Sequence, residues 1–205
     1  MGVWTDHVLP RLVDRVLGTP EVDARRALVC GGLHGRVLEV GFGSGLNLRH
    51  YPAEVTAVFF VEPSAVALQL AQPRLAVVAA QVAQVGVDGA RLALPDESVD
   101  CVLSTYTLCT IPEVTAALEE MHRVLKPDGV LHFLEHGRAP SESVRRWQRR
   151  LHPLHSRIAG GCNIERPIDD LISGAGLVID ELEMGYGDGP RPLSYLYRGR
   201  ASRHA

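Results

Sequence analysis

The chain has no excess of basic charge: Lys and Arg number 21 against 24 Asp and Glu, for a net charge of −3. That removes the electrostatic case for a nucleic-acid partner. No apolar run is long enough to cross a membrane. The first residues lack the basic-then-apolar pattern of a signal peptide, so a cytoplasmic protein is expected. There are only four cysteines, Cys30, Cys101, Cys109 and Cys162, and no pair has Cys-x-x-Cys spacing or falls in a His/Cys cluster of the zinc type. No metal site and no disulfide scaffold are expected, and the thiols are read as reduced. Internal repeats, low-complexity tracts and a second domain are also missing. What is present is 205 residues, 46% of them hydrophobic, enough for one globular domain (1–205) with a real core.

The stretch Arg36 to Asn47 organises that domain. Val37, Leu38 and Val40 suit a buried strand. Gly41, Gly43 and Gly45 then break the pattern, and Leu46 onward reads as a helix start. A strand running through a glycine turn into a helix is the ligand-binding corner of an α/β sheet. Glycine is needed there because backbone must turn tightly and approach a ligand with no Cβ in the way. A helix start would add free N–H groups and a positive dipole end. The spacing is Gly-x-Gly-x-Gly, not the Gly-x-Gly-x-x-Gly of dinucleotide binders. Glu39 precedes the first glycine by two residues and is placed to accept a hydrogen bond from a cationic amine.

Upstream, Val3, Trp4, Val8, Leu9, Leu12, Val13, Val16 and Leu17 fall near a helical period, with Pro10 as a kink or break. Glu21 to Val29 reads as a second helix, so residues 1–34 are expected as a helical cap over the site. Downstream, the predicted strands are Val55–Val61, Val82–Val87, Val99–Leu103, Val130–Leu134, Leu177–Met184 and Leu193–Arg198. Between them lie predicted helices over Leu46–Tyr51, Ser64–Gln81, Glu113–Leu125, Ser141–Ile158 with a break at Pro153, and Ile168–Ala175. Pro127, Asp128 and Gly129 read as an exit turn. Strands alternate with helices and pair only at the end. That order predicts a seven-stranded, mostly parallel sheet with helices on both faces and a C-terminal antiparallel hairpin.

Chemistry-bearing residues gather at the predicted strand ends. Glu62 lies 62 − 41 = 21 residues after the first glycine, at the distance of an acid that accepts from ribose hydroxyls. Asp88-Gly89 follows the third strand. Ser104, Thr105 and Tyr106 follow the fourth, and Thr107, Leu108 and Cys109 continue that wall. Glu135-His136 follows the fifth, and His136 is the candidate proton acceptor, since an imidazole titrates near neutrality. Gly160 to Arg166, with Cys162 and Asn163, reads as a lid or pocket wall. The run Arg145, Arg146, Trp147, Arg149, Arg150 reads as a solvated helix face that also has the make-up for peripheral contact with anionic lipid.

The stretch Val-Leu-Glu-Val-Gly-Phe-Gly-Ser-Gly at 37–45 resembles motif I of the class I S-adenosylmethionine-dependent methyltransferases, whose fold is Rossmann-like. Leu94-Pro95 through Asp100 resembles a further family step. Most of the chain, Gly35 to about Leu177, looks like the UbiE-like, methyltransferase type 11 branch. Three pieces are similar to membrane-associated methyltransferase-like proteins that methylate alkyl thiols: Glu39–Asn47, Phe133–Gly137 and Gly161–Arg166. The hydrophobic N-terminal anchor of those proteins has no counterpart in these residues. The resemblance implies S-adenosylmethionine as cofactor, with S-adenosylhomocysteine as product. It places Glu39, Gly41, Gly43, Gly45, Asn47, Glu62, Pro63, Asp88, Gly89, Ser104 and Thr105 around it, with Asp88 toward the adenine amino group. The acceptor pocket is expected among Trp4, His7, Thr107, Cys109, Glu135, Cys162 and Asn163. The expected substrate is a small acceptor, first a thiol, then a phenol, quinol or lipid-like molecule methylated on oxygen or carbon. A nicotinamide-dependent oxidoreductase and a non-catalytic binding module are the readings from other classes.

Overall fold

Val37, Leu38, Glu39 and Val40 are all buried, so the first strand has cover on both faces, as a central strand of a parallel sheet must. The computed structural model describes residues 2–203. Its strands are β1 (Gly35–Val40), β2 (Val55–Val61), β3 (Gln81–Gly86), β4 (Val99–Thr105), β5 (Leu125–His136), β6 (Val178–Tyr186) and β7 (Tyr195–Ser202). They form one sheet ordered β3-β2-β1-β4-β5-β7-β6. It is parallel from β3 through β5, and β7 is antiparallel to both β5 and β6. This is the α/β, Rossmann-like sheet with a closing hairpin that the alternating pattern predicts. The order reverses between β1 and β4, which opens a crevice over their carboxyl ends.

The helices are α1 (Leu9–Val16), α2 (Pro20–Cys30), α3 (Ala65–Leu75), α4 (Val114–Val124), α5 (Glu142–Ile158) and α6 (Ile168–Gly174). On one face Leu38, Val102 and Leu131 pack with Leu118 and Met121 of α4 and with Ile168 and Ile172 of α6. On the other, Val37 and Leu103 meet Val29 and Cys30 of α2. Phe42 and Phe60 stack at 4.1 Å beside Ala71 of α3. Each fully buried side chain of this size stabilises the fold by about 1.5–3 kcal/mol relative to exposure. β6 is the exposed edge. Its Glu181 and Glu183 pair with Arg200 and Arg198 of β7, and charge along an edge opposes pairing with another chain.

Four local expectations need correction. Leu46–Tyr51 is not a helix but a single tight turn at Leu48–His50, so no helix dipole points at the glycine turn. The helix after Ser64 ends at Leu75, two residues past Pro73, whose ring removes a backbone donor. Pro153 does not break α5, because both it and Arg149 lie exposed, where water can satisfy the carbonyl left unpaired. Pro127-Asp128-Gly129 is no separate turn: β5 spans it as a bulge between the Val99–Leu125 and Cys101–Val130 pairs. Pro10 lies in the first turn of α1, after a wide turn at Trp4–Val8 in which the Leu9 N–H reaches back to the Trp4 carbonyl.

Candidate active site

The glycine turn sits on the crevice. Gly41, Gly43 and Gly45 all have positive φ, at 77°, 57° and 74°. A Cβ on Gly41 would overlap the Thr107 side chain, whereas one on Gly43 would meet no protein atom within 4 Å. Gly43 instead faces a cavity of about 490 Å³ that Arg26, Gly41, Glu62, Pro63, Asp88, Gly89, Thr105 and Thr107 also line. The Gly43 N–H donates to Glu62 Oε2 at 2.7 Å, and the Ser64 N–H donates to Oε1 at 2.7 Å. Each oxygen keeps a lone pair for a ligand hydroxyl. Burial raises the Glu62 pKa, and these two N–H groups oppose the rise. Asp88 is exposed on the opposite rim, where its Oδ1 accepts from the Ala90 N–H at 2.9 Å. A Cβ on Gly89 would press on Val40 at 2.9 Å, so this position serves close packing as well.

Not every residue expected around the cofactor reaches the cavity wall. Glu39, Asn47, Gly45 and Ser104 do not line it. Glu39 lies beneath the turn, 1% exposed, and each of its oxygens accepts one hydrogen bond. Asn47 Nδ2 donates to one at 2.7 Å and the Tyr51 hydroxyl to the other. Burial pushes its pKa up to about 7, against the pull of Tyr51, Asn47 and the Arg26 guanidinium. Glu39 thus braces the turn from below, outside the cavity wall. Arg26 is the residue that the sequence reading missed. It is 4% exposed, and its Nη1 donates to Asn47 Oδ1 at 2.8 Å and Thr105 Oγ1 at 2.9 Å. Its Nη2 has no hydrogen-bond partner among the described residues, which suits an anionic ligand group in the cavity it lines. One signal was available: Arg26 shares the helical stripe of Val29 and Cys30 (i, i+3, i+4).

A second cavity of about 650 Å³ adjoins the first and shares Gly43, Glu62, Tyr106 and Gly160 with it. The outer wall is the apolar side of the N-terminal helix, with Trp4, Leu9, Leu12, Val13 and Val16. Cys109, His136 and Cys162 line it from the turn after β4, the end of β5 and the loop after α5. Tyr106, part of the strand-end wall read from the sequence, lines both cavities. Its φ of 55° is rare for an aromatic, and its ring lies 4.9 Å from that of His136. Four expected pocket residues lie elsewhere: Thr107 lines the first cavity, and three line neither. His7 is exposed outside the wall. Glu135 is fully buried under the 107–109 turn, where it accepts from Ser104 Oγ at 2.8 Å and from the N–H groups of Thr107 and Cys109 at 3.0 and 3.2 Å. The Asn163 N–H donates to the Cys109 carbonyl at 2.7 Å while its side chain holds the Glu165 N–H, so it ties the two loops together. On α5, Glu142 takes Arg145 and Arg149 in salt bridges, and Arg150 stacks over the exposed Trp147.

Residues 38–133 match the profile of a family described as a methyltransferase domain. Over that stretch the chain is similar to the methyltransferase domains that use S-adenosylmethionine. Among curated relatives, the thiol S-methyltransferase TMT1B of Rattus norvegicus is 34% identical over 141 residues, which cover 63% of this chain and 54% of that protein. The chain spans about half the length of the curated relatives it matches. The methyltransferase of Haloferax volcanii solved in complex with the activator Trm112 overlays 99% of the chain and 97% of its own at a TM-score of 0.71 and 17% identity. The [4+2]-cyclase SpnF overlays as well, at 0.71 and 20% identity over 90% of this chain and 82% of its own. Overlay therefore speaks for the fold alone, and the likeness to a methyltransferase domain rests on sequence. The cavity chemistry fits the cofactor of the class, S-adenosylmethionine. A carboxylate at the β2 end suits its ribose, a buried guanidinium suits its carboxylate, and the acid at Asp88 suits its adenine amino group.

Proposed function

We propose that this chain methylates the sulfur of a small, apolar thiol. The observation that carries the reading is the second cavity: an apolar helical wall on one side, Cys109, His136 and Cys162 on the other, opening directly beside the glycine turn. The thiol S-methyltransferase name of the rat relative supports the same acceptor. When bound, S-adenosylmethionine supplies an electrophilic methyl group on a sulfonium. Glu62 would hold its ribose and Arg26 its carboxylate, with Gly43 leaving the space between them open. Tyr106 stands at the junction of the cavities, where it would align acceptor and methyl group. The apolar wall from Trp4 to Val16 would exclude water and bind the hydrophobic body of the acceptor.

A thiol is partly ionised near neutrality, so proximity and in-line orientation supply most of the rate. His136 is the group placed to take the remaining proton in the metal-free protein. A phenol or quinol is the second reading, favoured by that same imidazole, since its hydroxyl needs a general base. Steady-state turnover separates them, run with alkyl thiols, phenols and amines on chelator-treated parent and on His136→Ala. Thiol methylation should lead in the parent and stay within about tenfold in the variant. Phenol methylation should be slow and fall on the order of a hundredfold. Robust phenol turnover with none for thiols would overturn the proposal. A small-molecule acceptor rather than nucleic acid also follows from the net charge of −3.

A further inference from the structure

Cys109, His136 and Cys162 are far apart in sequence, yet the fold gathers them at one end of the acceptor cavity. The two sulfurs stand 3.6 Å apart, and the donor atoms of all three lie within 4.8 Å of one another. A tetrahedral zinc ion held by two thiolates at about 2.3 Å sets its sulfurs about 3.8 Å apart, so the spacing already matches. The positions are well held. Glu135 accepts from the Cys109 N–H, the Asn163 N–H bonds the Cys109 carbonyl, and the Cys162 N–H bonds Ala159. His136 ends β5 with its ring against Tyr106. Two sulfurs and one imidazole are soft donors that select zinc over magnesium or calcium.

We propose that Cys109, His136 and Cys162 form a three-ligand site for a zinc ion whose fourth position opens on the acceptor. The site stands on geometry alone. Its use deepens the thiol reading and rests on it. An acceptor R–SH entering the fourth position binds as R–S⁻ and releases its proton to solvent, since a coordinated thiol is deprotonated. The thiolate sulfur then forms the new S–CH₃ bond as the methyl–sulfonium bond breaks, and that electron pair returns to the cofactor sulfur. The neutral thioether is a poor zinc ligand and leaves, which restores the open position. In this state His136 is a ligand, and the cation does the work of ionising the acceptor.

Cobalt(II) is the probe. The full chain is reduced, stripped with chelator and titrated. One equivalent should produce the intense visible bands of a tetrahedral site with a thiolate charge-transfer band, and zinc should displace it. Cys109→Ser and Cys162→Ser should each lose the charge-transfer intensity and bind at least tenfold more weakly. Cys101→Ala, inside β4, should keep both. Unchanged binding of S-adenosylhomocysteine shows that the serine variants are folded. A parent without the thiolate band, or one that yields only a Cys109–Cys162 disulfide and takes up no metal, overturns the site. Adding a small alkyl thiol to the cobalt form should intensify the thiolate band and, with cofactor, give thioether. A cobalt spectrum indifferent to the thiol overturns the open position. A spectrum that responds, with no thioether formed, overturns the thiol reading and leaves the metal site standing.

Discussion

Replacing Gly43 with alanine separates ligand contact from fold. Gly43 has a φ of 57°, and a Cβ built there meets no protein atom within 4 Å. The variant therefore carries only the cost of holding an L-residue in the left-handed region, about 1–2 kcal/mol. For a chain of this length that lowers Tm by roughly 2–8 °C. The new methyl group projects into the cavity, and a ligand pushed off the turn loses contact with the Gly43–Glu62 pair. Losing one hydrogen bond to a charged group costs about 1.5–3 kcal/mol, or ten- to a hundredfold in affinity. Gly41→Ala makes the contrast, because its Cβ overlaps Thr107 in the turn that Glu135 holds from below. That variant should lose more stability than Gly43→Ala. Calorimetric titration with S-adenosylhomocysteine, beside thermal unfolding, reads both quantities. Binding within threefold of the parent in Gly43→Ala would refute the placement of the cofactor on this turn.

Glu62→Ala should weaken S-adenosylhomocysteine about ten- to a hundredfold and leave the acceptor KM unchanged; a change confined to the acceptor KM would remove Glu62 from the ribose site. Arg26→Met removes a cation that holds the Glu39 pKa down, so that pKa climbs above its present value of about 7. A raised carboxyl pKa contributes stability at low pH that is lost as pH rises through the folded value. The stability gap to the parent should therefore widen between pH 6 and pH 8.5, by ~1.4 kcal/mol per unit of added pKa, and a gap flat with pH in denaturant titrations would contradict this. His132 is 2% exposed, with Nδ1 2.9 Å from the Val29 carbonyl, and burial drives its pKa down to about 4. Its neutral form is the folded one, so its contribution is complete above the ordinary pKa near 6.5 and is lost as pH falls toward 4. His132→Asn should abolish that acid-side loss of about 3 kcal/mol relative to the parent, and parallel pH–stability curves would show that His132 does not titrate there.

The sheet was legible because central parallel strands are apolar almost throughout. Val55–Val61 and the run from Val99 announced themselves, and the glycine turn located the crevice. Glu62 was legible because a strand-end acid follows the turn at a characteristic distance. Glu39 was harder, since its position in the motif does not reveal that Asn47 and Tyr51 occupy its oxygens. Arg26 shares a stripe with Val29 and Cys30, but a buried arginine on a helix next to Arg25 reads as surface charge. Cys109, His136 and Cys162 were read into one pocket from their places after the fourth strand, the fifth strand and the following helix, but no sequence spacing marks them as one donor set. They converge because β4 and β5 are neighbours and the loop after α5 folds back onto the Cys109 carbonyl.

The most direct test of the whole account is a single turnover. The chain, preloaded with one equivalent of methyl-labelled S-adenosylmethionine, is mixed with a small alkyl thiol and a phenol of matched hydrophobicity, and the products are resolved by mass spectrometry. The account predicts labelled methyl thioether in stoichiometric yield from the parent and almost none from Gly43→Ala. Label that stays on a tightly bound cofactor, or that moves to the phenol oxygen with no thioether formed, would contradict it.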